Sequence, residues 1–412
     1  MTRSLTIAFI GLRGVPAGEG GIERHVEELG ARLAAHGHEV TVYCRTNYVR
    51  ERRASYRGMR LRYVPAAGTK HLDFIAHSAL SSALVLRRAP DIVHYHAIAS
   101  GLVAPIPRYL SRSKVVLTVH GLDYARDKWK GPARAGLKLG AHMSARVPHA
   151  TIAVSQALAD HYTTRLGRRA HYIPNGMPEA TIEPIGEIGD RLGIAGRPYF
   201  LFVGRLVPEK APHLLLESFA RVQGDVRLVL AGSSGFTDAY AESLRRAASA
   251  DPRVVMAGGV FGSELSQLYS NAAAFVLPSS LEGLPITLLE AVAHRSPVIA
   301  SDIAPHLEVL GADGLGHHLV HQGDVEALST AMSQALAHSA DERRGAEALA
   351  ADAARRYSWD AVTTATELVY AGVLGLAPEL APPFEWAATG TGSESSAAAP
   401  GEDLAGMASR LK

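Results

Sequence analysis

Two carboxylates, two cations and one histidine stand at spacings that suit an anionic, hydroxyl-rich ligand. Glu282 and Glu290 frame Glu282-Gly-Leu-Pro-Ile-Thr-Leu-Leu-Glu290, with seven residues between them. Gly283 frees the backbone to turn and Pro285 suits a first helical position, so a helix is expected to open there. Ile286, Leu289 and Ala293 recur at helical spacing and turn one face inward. Glu290 falls one turn after Ile286, at the edge of that stripe, where a bare carboxylate is costly and ligand hydroxyls satisfy it. The first amides of the helix, around Leu284, make a seat for an anion. Upstream, Gly204-Arg205-Leu-Val-Pro-Glu-Lys210 puts two cations five residues apart across a turn. Arg205 can grip oxygens in pairs, and Lys210 acts as a point charge. The plainer alternative for Lys210 is a surface pair with Glu209. His120 follows the apolar run Val115–Val119 and precedes Gly121, at the strand end where open α/β sheets take ligands. Its plainer alternative is a packed histidine capping the strand.

The elements that must hold these groups read as alternating strands and helices. Leu5–Ile10 is a continuous apolar run, as expected of a buried parallel strand. A glycine-rich loop from Gly11 to Gly21 follows, then an amphipathic stretch from Ile22 to His36. Strand, loop and helix together form a phosphate cradle. The glycine spacing is not G-x-G-x-x-G, which disfavours a dinucleotide oxidoreductase. Further strands are expected at Glu39–Cys44, Asp91–His96 and Thr151–Ser155, with Ser155 at a ligand-facing end. His94 and His96 share one strand face and permit a two-histidine metal pair, but no third ligand is suggested by spacing. The apolar period lapses between Glu179 and Pro198, which reads as a linker. Tyr199–Val203 restarts the strand pattern, continued at Val226–Gly232, Val254–Met256, Ala273–Pro278 and Ser296–Ser301. His317, His318 and His321 read as surface residues.

A chain of 412 residues is long enough for two α/β domains. Its 47% hydrophobic and 20% charged residues are those of a globular protein, and a net charge of +2 leaves no nucleic-acid footprint. A lone cysteine, Cys44, excludes an intrachain disulfide and a cysteine zinc site, and is expected buried at a strand end. No stretch approaches eighteen apolar residues, and Met1-Thr-Arg-Ser leads directly into a strand. A cytoplasmic protein with neither spanning helix nor signal peptide is therefore expected. Arg50–Arg53 and Arg57–Arg62 read as solvated basic loops. Arg126–His149 is the most cationic segment and includes Trp129; it reads either as a face for anionic lipid headgroups or as a solvated surface. From Ala377 the composition turns to Pro, Gly, Ser, Ala and Thr, as in a disordered tail.

The string E-G-L-P…E-A…P-V-I-A-S resembles the donor-sugar motif of glycosyltransferase family 4, and G-R-L-x-x-E-K resembles that family's diphosphate motif. G-G-I-E-R-H-V and the I-P-N-G of Tyr172–Gly176 are similar to its first unit and its interdomain crossing. Gly258–Gly262 with Leu265 and Leu268 look like its base-binding turn and helix. The run G-L-R-G-V-P-A…G-G also resembles a bacterial envelope-polysaccharide subgroup with rhamnosyltransferase-like members. The likeness spans residues 4–374, with one departure: Arg295 stands where the family usually has glycine, which would either strain a left-handed helix cap or place a charge near the domain interface.

The resemblance implies an α/β protein of GT-B architecture, two Rossmann-like doubly wound parallel-sheet domains facing a cleft. Residues 1–180 would form an acceptor-side domain and 181–357 a nucleotide-sugar-binding domain. Residues 358–376 would be a closing helix returning to the first domain, and 377–412 a disordered tail. It implies transfer of a hexosyl group, with retention, from a nucleotide diphosphate sugar to a hydroxyl acceptor such as a lipid-linked glycan. Glu290 would hold the ribose, and Glu282 would lie beside the sugar and phosphates. Gly20 and Gly21 would face the diphosphate, which Arg205 and Lys210 neutralise as it leaves. His120 would donate to the transferring sugar. Gly204, Gly283 and Leu284 complete the donor set, with Ser155 and Asn175 tied to it more weakly. No Asp-x-Asp pair occurs, in keeping with a metal-independent reaction, so neither metal nor cofactor is expected. Peripheral contact with the inner membrane and no nucleic-acid partner complete the expectation. A catalytically silent nucleotide-sugar-binding partner and a sugar-nucleotide epimerase of the same fold remain open alternatives.

Overall fold

A computed structural model describes residues 3–18, 20–48, 52–66, 73–126, 129–233 and 238–376. The stretch expected to be a disordered tail, parts of the basic segments at 50–53 and 126–149, and a loop at 234–237 lie outside it. The described chain forms two compact units. One comprises Met1–Leu12, Ala34–Ile173 and Thr364 to the end of the described chain; the other comprises Arg13–Leu33 and Pro174–Thr363.

The first unit is built on eight strands: β1 (Thr6–Ile10), β2 (Glu39–Arg45), β3 (Ser55–Tyr56), β4 (Met59–Val64), β5 (Ile92–His96), β6 (Lys114–Val119), β7 (Ala150–Ala153) and β8 (His171–Tyr172). They lie in the order β3-β4-β2-β1-β5-β6-β7-β8. All neighbours are parallel except the short β3–β4 hairpin. The strand order reverses between β1 and β5, which makes the carboxyl ends of those strands the natural ligand edge. β5 is buried at every position, as a parallel strand covered on both faces must be. Cys44 is buried near the end of β2.

The returning helix, Trp359–Leu374, gives its later turns to this unit. There Tyr370 bonds His94 Nδ1 at 2.6 Å, and Glu367 Oε1 accepts from both His36 and His38, at 2.9 and 3.0 Å.

The second unit carries six parallel strands: β9 (Tyr199–Val203), β10 (Arg227–Ala231), β11 (Val254–Gly258), β12 (Ala274–Leu277), β13 (Val298–Ser301) and β14 (His317–Val320). Their order is β11-β10-β9-β12-β13-β14, so the reversal falls between β9 and β12. β9, β12 and β13 are fully buried apolar runs. The stretch read as a linker contains a short helix, Glu187–Arg191.

Two sequence expectations are corrected here. Pro285 is the residue before the helix Ile286–Ala293, with extended ψ of 117°, and not its first helical residue. Of the three late histidines only His321 is a surface residue. His317 is buried on β14 with Nε2 bonded to the Ala312 carbonyl, and His318 pairs with the buried Glu342.

The helix Ile286–Ala293 ends in a two-bond cap. Arg295 N–H donates to the Val292 carbonyl and Ser296 N–H to the Ala291 carbonyl, both at 3.0 Å, the pattern of a Schellman motif. Arg295 takes the left-handed conformation this motif requires, φ 55°, with its side chain exposed. Replacing it with glycine removes the Cβ penalty and leaves both cap bonds and the Arg343 bond to its carbonyl in place. Arg295→Gly is expected to raise unfolding stability by about 0.5–1 kcal/mol, measured by urea denaturation.

Candidate functional site

The groups singled out by spacing converge at the switch point of the second sheet. β9 runs into Gly204, Arg205 and the 3-10 turn Pro208–Lys210, and β12 runs into the loop that carries Ser279, Ser280 and Glu282. The two loops are tied through backbone: Ser280 N–H donates to the Glu209 carbonyl at 2.8 Å. Lys210 Nζ reaches Glu282 Oε1 at 2.7 Å, and that oxygen also accepts from the Ser279 hydroxyl at 2.8 Å. Lys210 is thus bonded across the switch point to Glu282. With side chains only 13% and 12% exposed, the pair is largely withdrawn from water. Burial alone would push the Glu282 carboxyl up, but the adjacent ammonium and the Ser279 hydroxyl together hold it below its ordinary range.

Gly204 makes this arrangement possible. Its φ is +155°, and a Cβ there would come within 3.1 Å of the Lys210 side chain. Gly232 packs its own backbone against the Gly204 carbonyl, where a Cβ would stand at 1.9 Å. Ala211, next after Lys210, is held left-handed at φ 50° although it is not glycine, a strain of about 1 kcal/mol stored beside the cation.

The turn from Gly283 to Pro285 leads into the helix without a capping side chain. The amides of Gly283, Leu284 and Ile286 have no protein acceptor among the described residues, which fits a seat for an anion. Asn175 braces this turn. Its Nδ2 donates to the Leu284 carbonyl at 2.7 Å while its Oδ1 accepts from His25 Nδ1 at 2.9 Å. Burial drives His25 down to about 4, only partly offset by Asn175, so the imidazole is neutral at pH 7. Gly21 lies against the Ile286 side chain, 3.8 Å from where its Cβ would be. Gly20 opens the Gly21–Ala35 helix, accepting from Arg24 N–H.

Glu290 projects from the same helix one turn on. Its Oε2 accepts from the Tyr269 hydroxyl at 3.1 Å, and its Oε1 stands 3.8 Å from the Arg24 guanidinium. Burial raises the Glu290 carboxyl above its ordinary range, and Arg24 and Tyr269 draw it only part of the way back.

The remaining candidates belong to the first unit. His120 follows β6 half-buried, with Nε2 3.1 Å from His96 Nδ1. His94 stacks on His96, and its two nitrogens engage Tyr370 and Thr118 hydroxyls, a packing arrangement in place of the metal pair the spacing permitted. Ser155 is fully buried and caps the helix Gln156–Leu166, accepting from Leu158 N–H.

Sequence reasoning missed Ser279, Tyr269, Arg24 and His25. Ser279 was within reach, three residues before Glu282 in Pro278-Ser-Ser-Leu. Tyr269 adjoins Leu268, in a helix read only as resembling the family's base-binding unit.

A direct check of the ion pair is Lys210→Met. It strands a buried carboxylate and is expected to cost about 2–4 kcal/mol at pH 7, most of it recovered in Lys210→Met/Glu282→Gln. In the wild type the folded-state pKa of Glu282 is depressed, so its contribution is present above the unfolded carboxylate pKa and is lost as pH falls through the folded value. Without Lys210 burial raises the folded pKa instead, so that variant gains stability as it takes up a proton. The gap between the two proteins should therefore narrow on acidification from pH about 7 to about 4.5, read by denaturant titration at each pH.

Comparison with known proteins agrees with this geometry. The family description Glycosyltransferase Family 4 matches residues 19–180, and Glycosyl transferases group 1 matches residues 187–350. An alpha-maltose-1-phosphate synthase of Mycolicibacterium smegmatis is 31% identical over 278 residues, covering 60% of this chain and 69% of that protein. Among solved structures, sucrose-phosphate synthase of Thermosynechococcus elongatus superposes with a TM-score of 0.80 at 21% identity, over 91% of this chain and all of the other. Anabaena HepE in complex with UDP-glucose superposes at 0.72 and 18% identity, over 89% and 99% of the two chains. The chain therefore belongs to glycosyltransferase family 4, an enzyme of the GT-B fold that transfers sugars.

Proposed function

We propose that this protein moves a hexosyl group, with retention of anomeric configuration, from a nucleotide diphosphate sugar to a hydroxyl of a lipid-linked glycan in cell-envelope or exopolysaccharide synthesis. One observation carries the reading. The Lys210–Glu282 pair, the unbonded amides from Gly283 to Ile286 and the buried Glu290 carboxylate all occur within one unit, at one sheet switch point. Cation, amides and carboxylate follow one another as phosphates and ribose do along a nucleotide sugar.

In this reading Glu290 holds the ribose hydroxyls, while Gly20, Gly21 and the Leu284 turn hold the diphosphate. Lys210 and Arg205 take up the charge that grows as the bond from the anomeric carbon to the diphosphate oxygen breaks. The acceptor oxygen bonds to the same face of that carbon, and its proton passes to the departing diphosphate. Glu282 sets Lys210 before the donor arrives. His120 donates to the transferring sugar, and the buried Ser155, which caps the Gln156–Leu166 helix, acts only through the frame of the first unit. The reaction needs no metal, in keeping with a sequence that lacks Asp-x-Asp. No helix among the described residues is long and apolar enough to cross a membrane. The Gly131–Arg146 helix, with Arg134, Lys138 and an exposed Leu139, offers a face for contact with the cytoplasmic leaflet.

The test is a thermal-shift panel of UDP-, GDP- and dTDP-sugars, with and without magnesium, on wild type and Lys210→Ala. One nucleotide class at a hundredfold excess over its Kd should stabilise the wild type by about 2.7 kcal/mol, with or without magnesium, and the variant much less. No shift with any donor overturns the reading.

A further inference from the structure

The Glu290 carboxylate is held unevenly. Oε2 takes the Tyr269 hydroxyl at 3.1 Å, whereas Oε1 has no hydrogen-bond donor among the described residues and faces Arg24 at 3.8 Å, beyond hydrogen-bond length. Tyr269 is placed with unusual care for a residue that donates one bond. It lies fully buried near the end of the Gly262–Asn271 helix, its ring stacked on His294 at 5.2 Å and 19° and tilted against Phe275 at 5.6 Å. Its hydroxyl is shared between Glu290 Oε2 and the Thr287 carbonyl one turn earlier. A carboxylate on a flexible stem needs such a restraint if one oxygen is to present its lone pairs in a fixed direction.

We propose that Tyr269 is a positioning residue for sugar-hydroxyl recognition: by occupying Oε2 of Glu290 it turns Oε1, which faces Arg24 at 3.8 Å, to accept from the ribose diol of the bound nucleotide. This rests on the nucleotide-sugar reading of the site. It adds the residue that sets discrimination between ribose and its deoxy analogues. A diol meeting a misdirected carboxylate loses a charge-assisted bond, whereas a ligand without hydroxyls loses nothing. The effect is therefore a change in a ratio of affinities, which a general loosening of the fold does not produce.

The experiment measures Kd by calorimetry for whichever of UDP, GDP and ADP binds best, and for its 2′,3′-dideoxy counterpart, on four proteins. Wild type should prefer the ribonucleotide and Glu290→Gln should lose most of that preference. Tyr269→Phe, which keeps the ring and removes only the hydroxyl, should cut the preference roughly three- to tenfold with little change for the dideoxy ligand. Phe275→Leu, which disturbs the ring's packing without touching the carboxylate, should lower thermal stability and leave the preference intact. A wild type with no preference, or a Glu290→Gln that retains it, overturns the assignment of Glu290 to the ribose and the proposal with it. If those two proteins behave as expected and Tyr269→Phe keeps its preference within twofold, the positioning role alone falls. It falls equally if Phe275→Leu loses as much preference as Tyr269→Phe.

Discussion

The second unit depends on seating two carboxylates where little water reaches them. Glu282 lies in the loop before the Ile286–Ala293 helix and Glu290 lies within that helix, and each carboxyl is pushed toward its neutral form by burial. The chain answers in two ways. Glu282 has a bonded ammonium and a hydroxyl on one oxygen, and its acidity is strengthened beyond normal. Glu290 has a guanidinium at a distance and a phenol in contact, and its acidity remains weakened. One site thus holds a carboxylate that is electrostatically saturated and another that is still short of partners. The proposed roles, one group setting a cation and the other receiving hydroxyls, draw on that difference.

The fold supplies this contrast through its strand order. Lys210 comes from the loop after β9 and Glu282 from the loop after β12, and these strands are neighbours only because the sheet reverses direction between them. Buried parallel strands are tightly packed, so their ends are fixed, and the Ser280–Glu209 backbone bond locks the loops that leave them. Beneath the Glu282 loop, the Ser301 hydroxyl bonds the Ser279 carbonyl, and the buried, neutral His306 bonds Ser301 in turn. These bonds hold the loop from below and confine the carboxylate above them, although His306 Nε2 has no partner among the described residues.

Much of this was legible in the sequence because it rests on local rules. Continuous apolar runs announced the parallel strands. Glycine and proline announced the turn at 283–285, and helical spacing put Glu290 on the edge of a buried face. The left-handed demand at position 295 was equally readable, since a helix that stops there needs it. What escaped was set by partners distant in sequence. Tyr269 meets Glu290, Arg24 meets Glu290 and Asn175 meets the Leu284 carbonyl across separations no periodicity encodes. His317 was misjudged for a related reason. Polar histidines in a row suggest a surface, yet the sheet draws this one inward and gives its nitrogen a carbonyl.

The stretch from Glu282 into the Ile286–Ala293 helix constrains length and not identity. Seven residues separate Glu282 from Glu290, an uncapped turn and then the opening of a helix whose two-bond cap lies beyond Glu290. Such a segment is a ruler with its zero mark at the switch point. Inserting or deleting one residue would turn Glu290 by about 100° around the axis and carry it off the face that meets Tyr269 and Arg24. Side chains along its inner edge can drift among apolar types of similar volume, but the count between the two carboxylates cannot change without altering how they face one another.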